Sequence, residues 1–168
     1  MENKLGMNLI PLNEEERLEN LKKYNILYTQ SEPVFDQIAA GAATAFDMPI
    51  ALINFVDKDN VWTKANQEAK GGSDVERGSS LCSLAILKDS VTVIEDTLTD
   101  PLLLSNPWIA AEHGLRFYAA APIKTSENFN LGVVCIMDNV ARQFTPEDQA
   151  KLEGIARLIT LEIEKRVK

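Results

Sequence analysis

The sequence is poor in the residues on which most catalytic chemistry depends. It has one histidine, His113, and two cysteines, Cys82 and Cys135. A single histidine excludes metal sites and catalytic sets built from several, and two cysteines are too few for a disulfide framework. Basic residues are in deficit, 17 Lys plus Arg against 25 Asp plus Glu, for a net charge of -8. Nucleic-acid binding rests on clustered Lys and Arg that release counterions, and anionic membranes attract the same clusters, so neither partner is expected. No apolar run approaches the roughly 20 residues that cross a bilayer. The opening stretch MENKLGMNLIPLNEEE lacks the apolar core and cleavage site of a secretory signal, so the cytoplasm is the expected compartment. Glycine-rich phosphate loops and the G-x-S-x-G setting of a hydrolase serine are also missing, which leaves Ser79 and Ser80 without a partner base.

What is present is the texture of one ordinary folded domain, 45% hydrophobic and 25% charged over 168 residues. Residues 1–12 read as a loosely held arm and 13–168 as a single domain. Asn13 and Glu16 suggest a helix start, and the helix over Glu14 to Lys23 carries Leu18 and Leu21 on one stripe. Pro33 opens a second helix with Phe35, Ile38, Ala42 and Phe46 at helical spacing, stopped before Pro49. Ile50 to Val56, the turn Asp57 to Asn60, and Val61 to Thr63 read as a hairpin. Glu68 to Ser80 is a glycine-containing loop, Leu81 to Leu87 a short helix, and Val91 to Ile94 a brief strand. A second hairpin joins Phe117 to Thr125 and Leu131 to Asp138. Thr145-Pro146-Glu147-Asp148 starts a long last helix whose Leu152, Ile155, Ile159 and Ile163 share a face. Hairpins between segregated helices imply an α+β fold with antiparallel strands.

Read in order, several of these pieces resemble bacterial GAF domains. They are Arg17-Leu18, Tyr24 to Leu27, Glu32-Pro33, Phe35-Asp36, Pro49 to Ile53, Trp62, Ser80 to Ile86, Asp96-Thr97, Asp100-Pro101 and Asn106-Pro107. Arg116 to Ala119, Ala121-Pro122, Leu131 to Asp138 and the helix after Thr145 complete the set. The resemblance implies a central antiparallel sheet of five or six strands with helices on both sides, the GAF/PAS-like arrangement. It implies a pocket between one face of the sheet and the middle segments, open to cyclic nucleotides, tetrapyrroles, haem, amino acids or small anions in various members. It does not name a ligand or cofactor. Relatives commonly carry His where Leu84 stands here. They also continue into an output domain where the last helix here reaches Lys168, so the expected signal leaves through a separate signalling protein.

The family positions that offer a wall for a small molecule are Trp62, Lys64, Ser80, Cys82, Ala85, Phe117 and Tyr118, of which strand alternation allows only about half of the strand residues to face a pocket. Cys82, near a helix start, is the one candidate nucleophile, under an alternative reading as a thiol-dependent reductase of free methionine sulfoxide. Cys135, within an apolar strand, has the setting of an inert thiol, and structural roles for both are the preferred reading. His113 before Gly114 suits a helix stop better than a lone haem ligand. Asp57 with Asp59, and Asp96 with Asp100, sit among turn formers and are read as turn residues. Leu18, Leu21, Leu152, Ile155, Ile159 and Ile163 are expected to form a helical interface in a homodimer. A ligand-free dimerisation domain is the remaining alternative.

Overall fold

The computed structural model describes residues 8–104, 106, 109 and 114–167. His113 therefore lies outside the described residues. Helix α1 spans Glu14–Lys23, with Glu14 to Glu16 in its first turn and Lys22 and Lys23 in its last, each complementing the helix dipole. Asn13 occupies the N-cap position, but its side chain makes no capping bond, so the cap expected there is absent. Helix α2, Pro33–Phe46, has its proline in the first turn and ends at Asp47, whose φ of 52° is left-handed. The short α3, Leu81–Ala85, is capped by the Ser80 hydroxyl, which accepts from the Cys82 amide. The last helix, α4, runs Pro146–Glu164 behind a reciprocal capping box between Thr145 and Asp148.

The strands are β1 Ile50–Val56, β2 Asn60–Asn66, β3 Asp74–Glu76, β4 Thr92–Ile94, β5 Phe117–Lys124 and β6 Asn130–Asp138. They form one antiparallel sheet in the order β3-β2-β1-β6-β5-β4. Residues 74–76 fall in the segment Glu68 to Ser80, which by its glycines and charges is expected to be loop. Here they form an edge strand of three exposed residues, too short to show alternation.

Side-chain alternation divides the core in two. Ala51, Ile53, Phe55, Phe117, Ala119, Ala121, Val134 and Ile136 join α1, α2 and α4 in one apolar cluster. Val56, Val61, Tyr118, Ala120, Val133 and Cys135 join α3 in another on the opposite face. β6 lies between β1 and β5, and Gly132 permits its close approach to β1. A Cβ on Gly132 would stand 2.0 Å from the Asn54 carbonyl oxygen and 2.8 Å from the Phe55 Cα.

Two expectations are corrected by this packing. Residues 8–12 are not wholly loose, because Leu9 is buried in the α3 cluster and its carbonyl accepts from Arg77. The helix residues assigned to a dimer interface serve the chain's own core: Leu21, Leu152, Ile159 and Ile163 are fully buried in it, and Leu18 and Ile155 pack against its edge. An amphipathic stripe is equally suited to a sheet and to a partner helix, and here the sheet takes it. The exposed apolar residues of α4 are instead Leu158 and Leu161, at 53% and 61% exposure.

A buried ionic cluster ties the two sides of the molecule. Glu14 accepts from the Arg17 Nε at 2.9 Å and from Arg77 Nη2 at 3.1 Å, with a further short bond from Arg77 Nη1. Arg77 also donates to the carbonyls of Asp57 and Lys58, and Arg17 to that of Val56. Burial alone would raise the Glu14 pKa, but the Arg77 and Arg17 hydrogen bonds outweigh it and hold the carboxyl below its usual value. Glu32 is lowered in the same way, with burial opposed by Lys64 and Arg166.

Two outcomes are expected. Gly132→Ala should destabilise the fold by about 2–3 kcal/mol in urea unfolding, since backbone rather than a movable side chain meets the methyl group. Both depressed carboxyls contribute stability that is present above the ordinary glutamate pKa of 4.5 and is lost as pH falls through their lower folded values. Glu14→Gln should cost about 3 kcal/mol at pH 7, where it strands two buried guanidinium groups. That deficit should shrink in acid, where the native Glu14 is itself protonated.

Candidate functional site

The face of the sheet away from α1, α2 and α4 carries a cavity of about 500 Å³. Its floor includes Leu52 and Asn54 of β1, Thr63 and Asn66 of β2, Tyr118 of β5 and Met137 of β6. Its roof includes Ser79, Ser80, Leu81 and Cys82, with Asn106, Ile109 and Leu115 from the segment between β4 and β5. The roof is tethered by side chains: the Asn106 amide donates to the Ser79 carbonyl at 2.8 Å, and Arg116 to the Ile109 carbonyl at 2.7 Å. Thr97, fully buried, donates to the Leu115 carbonyl at 2.6 Å.

Alternation explains which expected residues reach this cavity. In β5, Phe117 turns to the helix side against Phe144, and Tyr118 turns to the cavity. In β2, Trp62 pairs with Phe55 and its ring lies 5.7 Å from that of Tyr28. A register shift between Ile53 and Asn54 leaves Lys64 without a direct partner on β1. The Lys64 amine donates to Thr29 Oγ1 at 2.8 Å and to the Gln30 carbonyl at 2.6 Å, and pairs with Glu32 at 2.6 Å. It also lies 5.7 Å from the Phe35 ring centre, on the α2 side. Trp62, Lys64 and Phe117 are thus not cavity residues. Ser80, Cys82 and Tyr118 are brought together on the wall, and Ala85 is buried in the apolar cluster beneath α3.

Asn54, Thr63, Asn66, Asn106, Met137 and Asp138 also line the cavity and were not singled out from the sequence. Asn54 had a signal: it is a polar residue within the otherwise apolar run Ile50–Val56, where a buried amide calls for partners. Its Oδ1 accepts from the Thr63 hydroxyl at 2.7 Å and its Nδ2 donates to Cys82 Sγ at 3.3 Å. Tyr118 also donates to that sulfur, at 3.2 Å, and Cys135 Sγ stands 4.0 Å from it. The contact with Cys135 is the largest influence on Cys82; it and the Tyr118 and Asn54 donors outweigh burial and lower the thiol's pKa. Cys135 is pushed up by its contact with Cys82 and by burial, so of the two sulfurs Cys82 is the one whose neighbours favour the charged form. Burial likewise raises Tyr118, which keeps its donor proton.

The only ionisable carboxylate among the described lining residues is Asp138, and it is already engaged. It accepts from Arg142 Nε at 2.7 Å and from the Asn139 amide at 2.7 Å. No lysine or arginine lines the cavity among the described residues, and no cluster of three or more metal-ligating side chains occurs among them. Asp96 and Asp100 cap the turns that follow them, the local role read from the sequence, whereas the Asp57 carboxylate accepts from the distant Tyr28 hydroxyl. No helix among the described residues is long and apolar enough to cross a membrane. A larger, open depression of about 1150 Å³ beside α1 is lined largely by charged side chains, including Glu14, Glu15, Lys22 and Lys58.

The model of the GAF domain family matches residues 31–163. A cyclic di-GMP phosphodiesterase of Pseudomonas aeruginosa is 35% identical over 157 residues; the match covers 91% of this chain and 26% of that protein. The chain thus spans about a quarter of the length of the curated relative it matches. Among solved structures, the GAF domain of a phosphoenolpyruvate-protein phosphotransferase from Coxiella burnetii has a TM-score of 0.65 at 16% identity, covering 95% of this chain and 96% of that one. A free methionine-R-sulfoxide reductase from Neisseria meningitidis, in complex with its substrate, has a TM-score of 0.60 at 19% identity, covering 91% and 87%. At these identities the two structures establish a shared fold. With the family model spanning most of the chain and the six-stranded sheet roofed on one face, the chain belongs to the GAF domain family.

Proposed function

We propose that this domain is a sensory module that binds a small, uncharged, hydrogen-bonding molecule and passes its occupancy to a signalling partner. The observation that carries the reading is the cavity itself, about 500 Å³ of space walled by apolar side chains with neutral amides and hydroxyls among them. Its lack of lysine and arginine among the described lining residues argues against a strongly anionic ligand, whose desolvation would go uncompensated. Membership of the family and the relationship to a cyclic di-GMP phosphodiesterase favour a signalling role. Arg77 offers a route for the signal, since its carbonyl accepts from Ser83 of α3 while its guanidinium holds Glu14 of α1. A ligand that binds one arrangement of the roof better than another shifts the population between them.

The reductase reading has one observation in its favour, the two thiols beside the cavity. Turnover of free methionine sulfoxide that disappears in Cys82→Ser would support it over the sensor. A ligand-free scaffold is disfavoured by the unfilled volume. For the homodimer, Leu158 and Leu161 are the residues of α4 exposed enough to serve. Changing both to Glu should convert a dimer to a monomer in light scattering without unfolding the chain.

A thermal-shift screen across nucleosides, amino acids, anions and tetrapyrroles tests the binding reading. A ligand at about 100 times its Kd adds ~2.7 kcal/mol. For a chain of 168 residues that raises Tm by roughly 5–10 °C. Leu52→Trp, which places an indole in the cavity, should abolish the shift while preserving the circular dichroism spectrum. Absence of any shift across the screen counts against binding.

A further inference from the structure

Ligand binding leaves two buried thiols without a role. Cys82 opens on the cavity, and Cys135 lies behind it on β6 with no exposed surface. Their sulfurs are 4.0 Å apart. The Tyr118 hydroxyl and the Asn54 amide both aim donors at Cys82 Sγ, and Thr63 holds the Asn54 amide in that orientation by donating to its oxygen. A neutral thiol is a weak acceptor, and two buried donors directed at one sulfur suit a thiolate far better. The arrangement is also ordered in depth. Cys82 lines the cavity, whereas Cys135 is fully buried and does not.

We infer that Cys82 and Cys135 form a dithiol couple that a hydroperoxide entering the cavity oxidises to a disulfide, with Cys82 attacking and Cys135 resolving. In the first step the Cys82 thiolate attacks one peroxide oxygen. An S–O bond forms, the O–O bond breaks, and the other oxygen leaves as water or an alcohol after taking up a proton equivalent to the one the Cys82 thiol released on ionising. Cys82 becomes a sulfenic acid, oxidised by two electrons. The Cys135 sulfur then attacks Cys82 Sγ, the S–S bond forms and the S–O bond breaks, and the hydroxyl leaves with the Cys135 proton as water. Two thiols and one hydroperoxide thus yield a disulfide, water, and a second water or an alcohol. Two molecules of a low-molecular-weight thiol restore the pair by successive exchange and leave as their own disulfide.

Bond formation brings the sulfurs from 4.0 Å to about 2.05 Å. Cys135 is fixed in a strand paired on both sides, opposite Leu52 and Ala120. Cys82 is on the five-residue α3, so the movement falls on α3 and on the cavity roof that it carries.

The test uses the whole chain, reduced, freed of reductant and treated with hydrogen peroxide. The expected result is joint loss of both thiols, a cross-linked Cys82–Cys135 peptide, and recovery of both with dithiothreitol. Cys135→Ser should stop at a sulfenic acid on Cys82 that dimedone traps. Cys82→Ser should leave Cys135 unreactive. Tyr118→Phe removes one donor to the thiolate; it should slow oxidation about tenfold at pH 7 and move the midpoint of the pH–rate curve upward, with circular dichroism unchanged. Thiols that both survive peroxide, oxidation of Cys82 beyond sulfenic acid with no cross-link, or Cys135 reacting at full rate in Cys82→Ser would each overturn the assignment. Oxidation by methionine sulfoxide but not by peroxide would overturn it in favour of the reductase. None of these results bears on the thermal-shift test, so failure of the couple and failure of ligand binding are distinguishable.

Discussion

The carboxylate of Glu14, held between Arg17 and Arg77, is the contact on which the arrangement of this domain turns. Arg77 is fully buried and belongs to the segment that leads into α3, whereas Glu14 begins α1, whose Leu21 is buried in the cluster on the opposite face of the sheet. A guanidinium satisfies several carbonyls at once because its donors form a fixed fork, and Arg77 uses this to gather Leu9, Asp57 and Lys58 around one point. The start of the cavity roof is thereby positioned by charge and hydrogen bonds, while the sheet below is positioned by apolar burial. A second ionic tie, Lys64 with Glu32 and Glu32 with Arg166, joins β2 to the linker before α2 and to the turn that follows α4. Both ties depend on a carboxylate of depressed pKa, so the weak points of the fold in acid are its joints rather than its core.

The sheet converts residue parity into location. β1 and β5 send odd-numbered apolar residues to the long helices, and send Leu52, Asn54, Tyr118 and Ala120 to the cavity side. Adjacent residues thus have unrelated roles: Phe117 stacks near Phe144 while Tyr118 donates to a sulfur. The close β1–β6 approach at Gly132 brings Cys135 opposite Leu52 and places its sulfur behind that of Cys82.

The helices, both hairpins and the antiparallel sheet were legible because each rests on local patterns: proline at helix starts, apolar periodicity and turn residues. β3 was not, since three exposed residues carry no alternation and owe their conformation to pairing with β2. The site was legible only in part. Ser80 and Cys82 follow from the family positions, but the choice between Phe117 and Tyr118 depends on which face of β5 meets α4, a tertiary fact. Trp62 and Lys64 were misplaced because an aromatic and a cation suit a ligand wall and a buried structural cluster equally well. Neither Arg77 nor Glu14 stood out, for their partnership spans 63 positions and no local pattern encodes it.

The two ends of the sheet bear on how the molecule behaves in a crowded solution. An unpaired strand edge is a template on which another chain can add a strand. Here β3 and β4 are each three residues long. Asp74 and Glu76 flank the single valine of β3, and Glu95 and Asp96 follow β4 directly. Any second molecule approaching edge-on meets acidic side chains and too few free backbone groups to repay the contact. Both edges of the sheet are therefore short and flanked by acid, which makes them poor templates for an added strand.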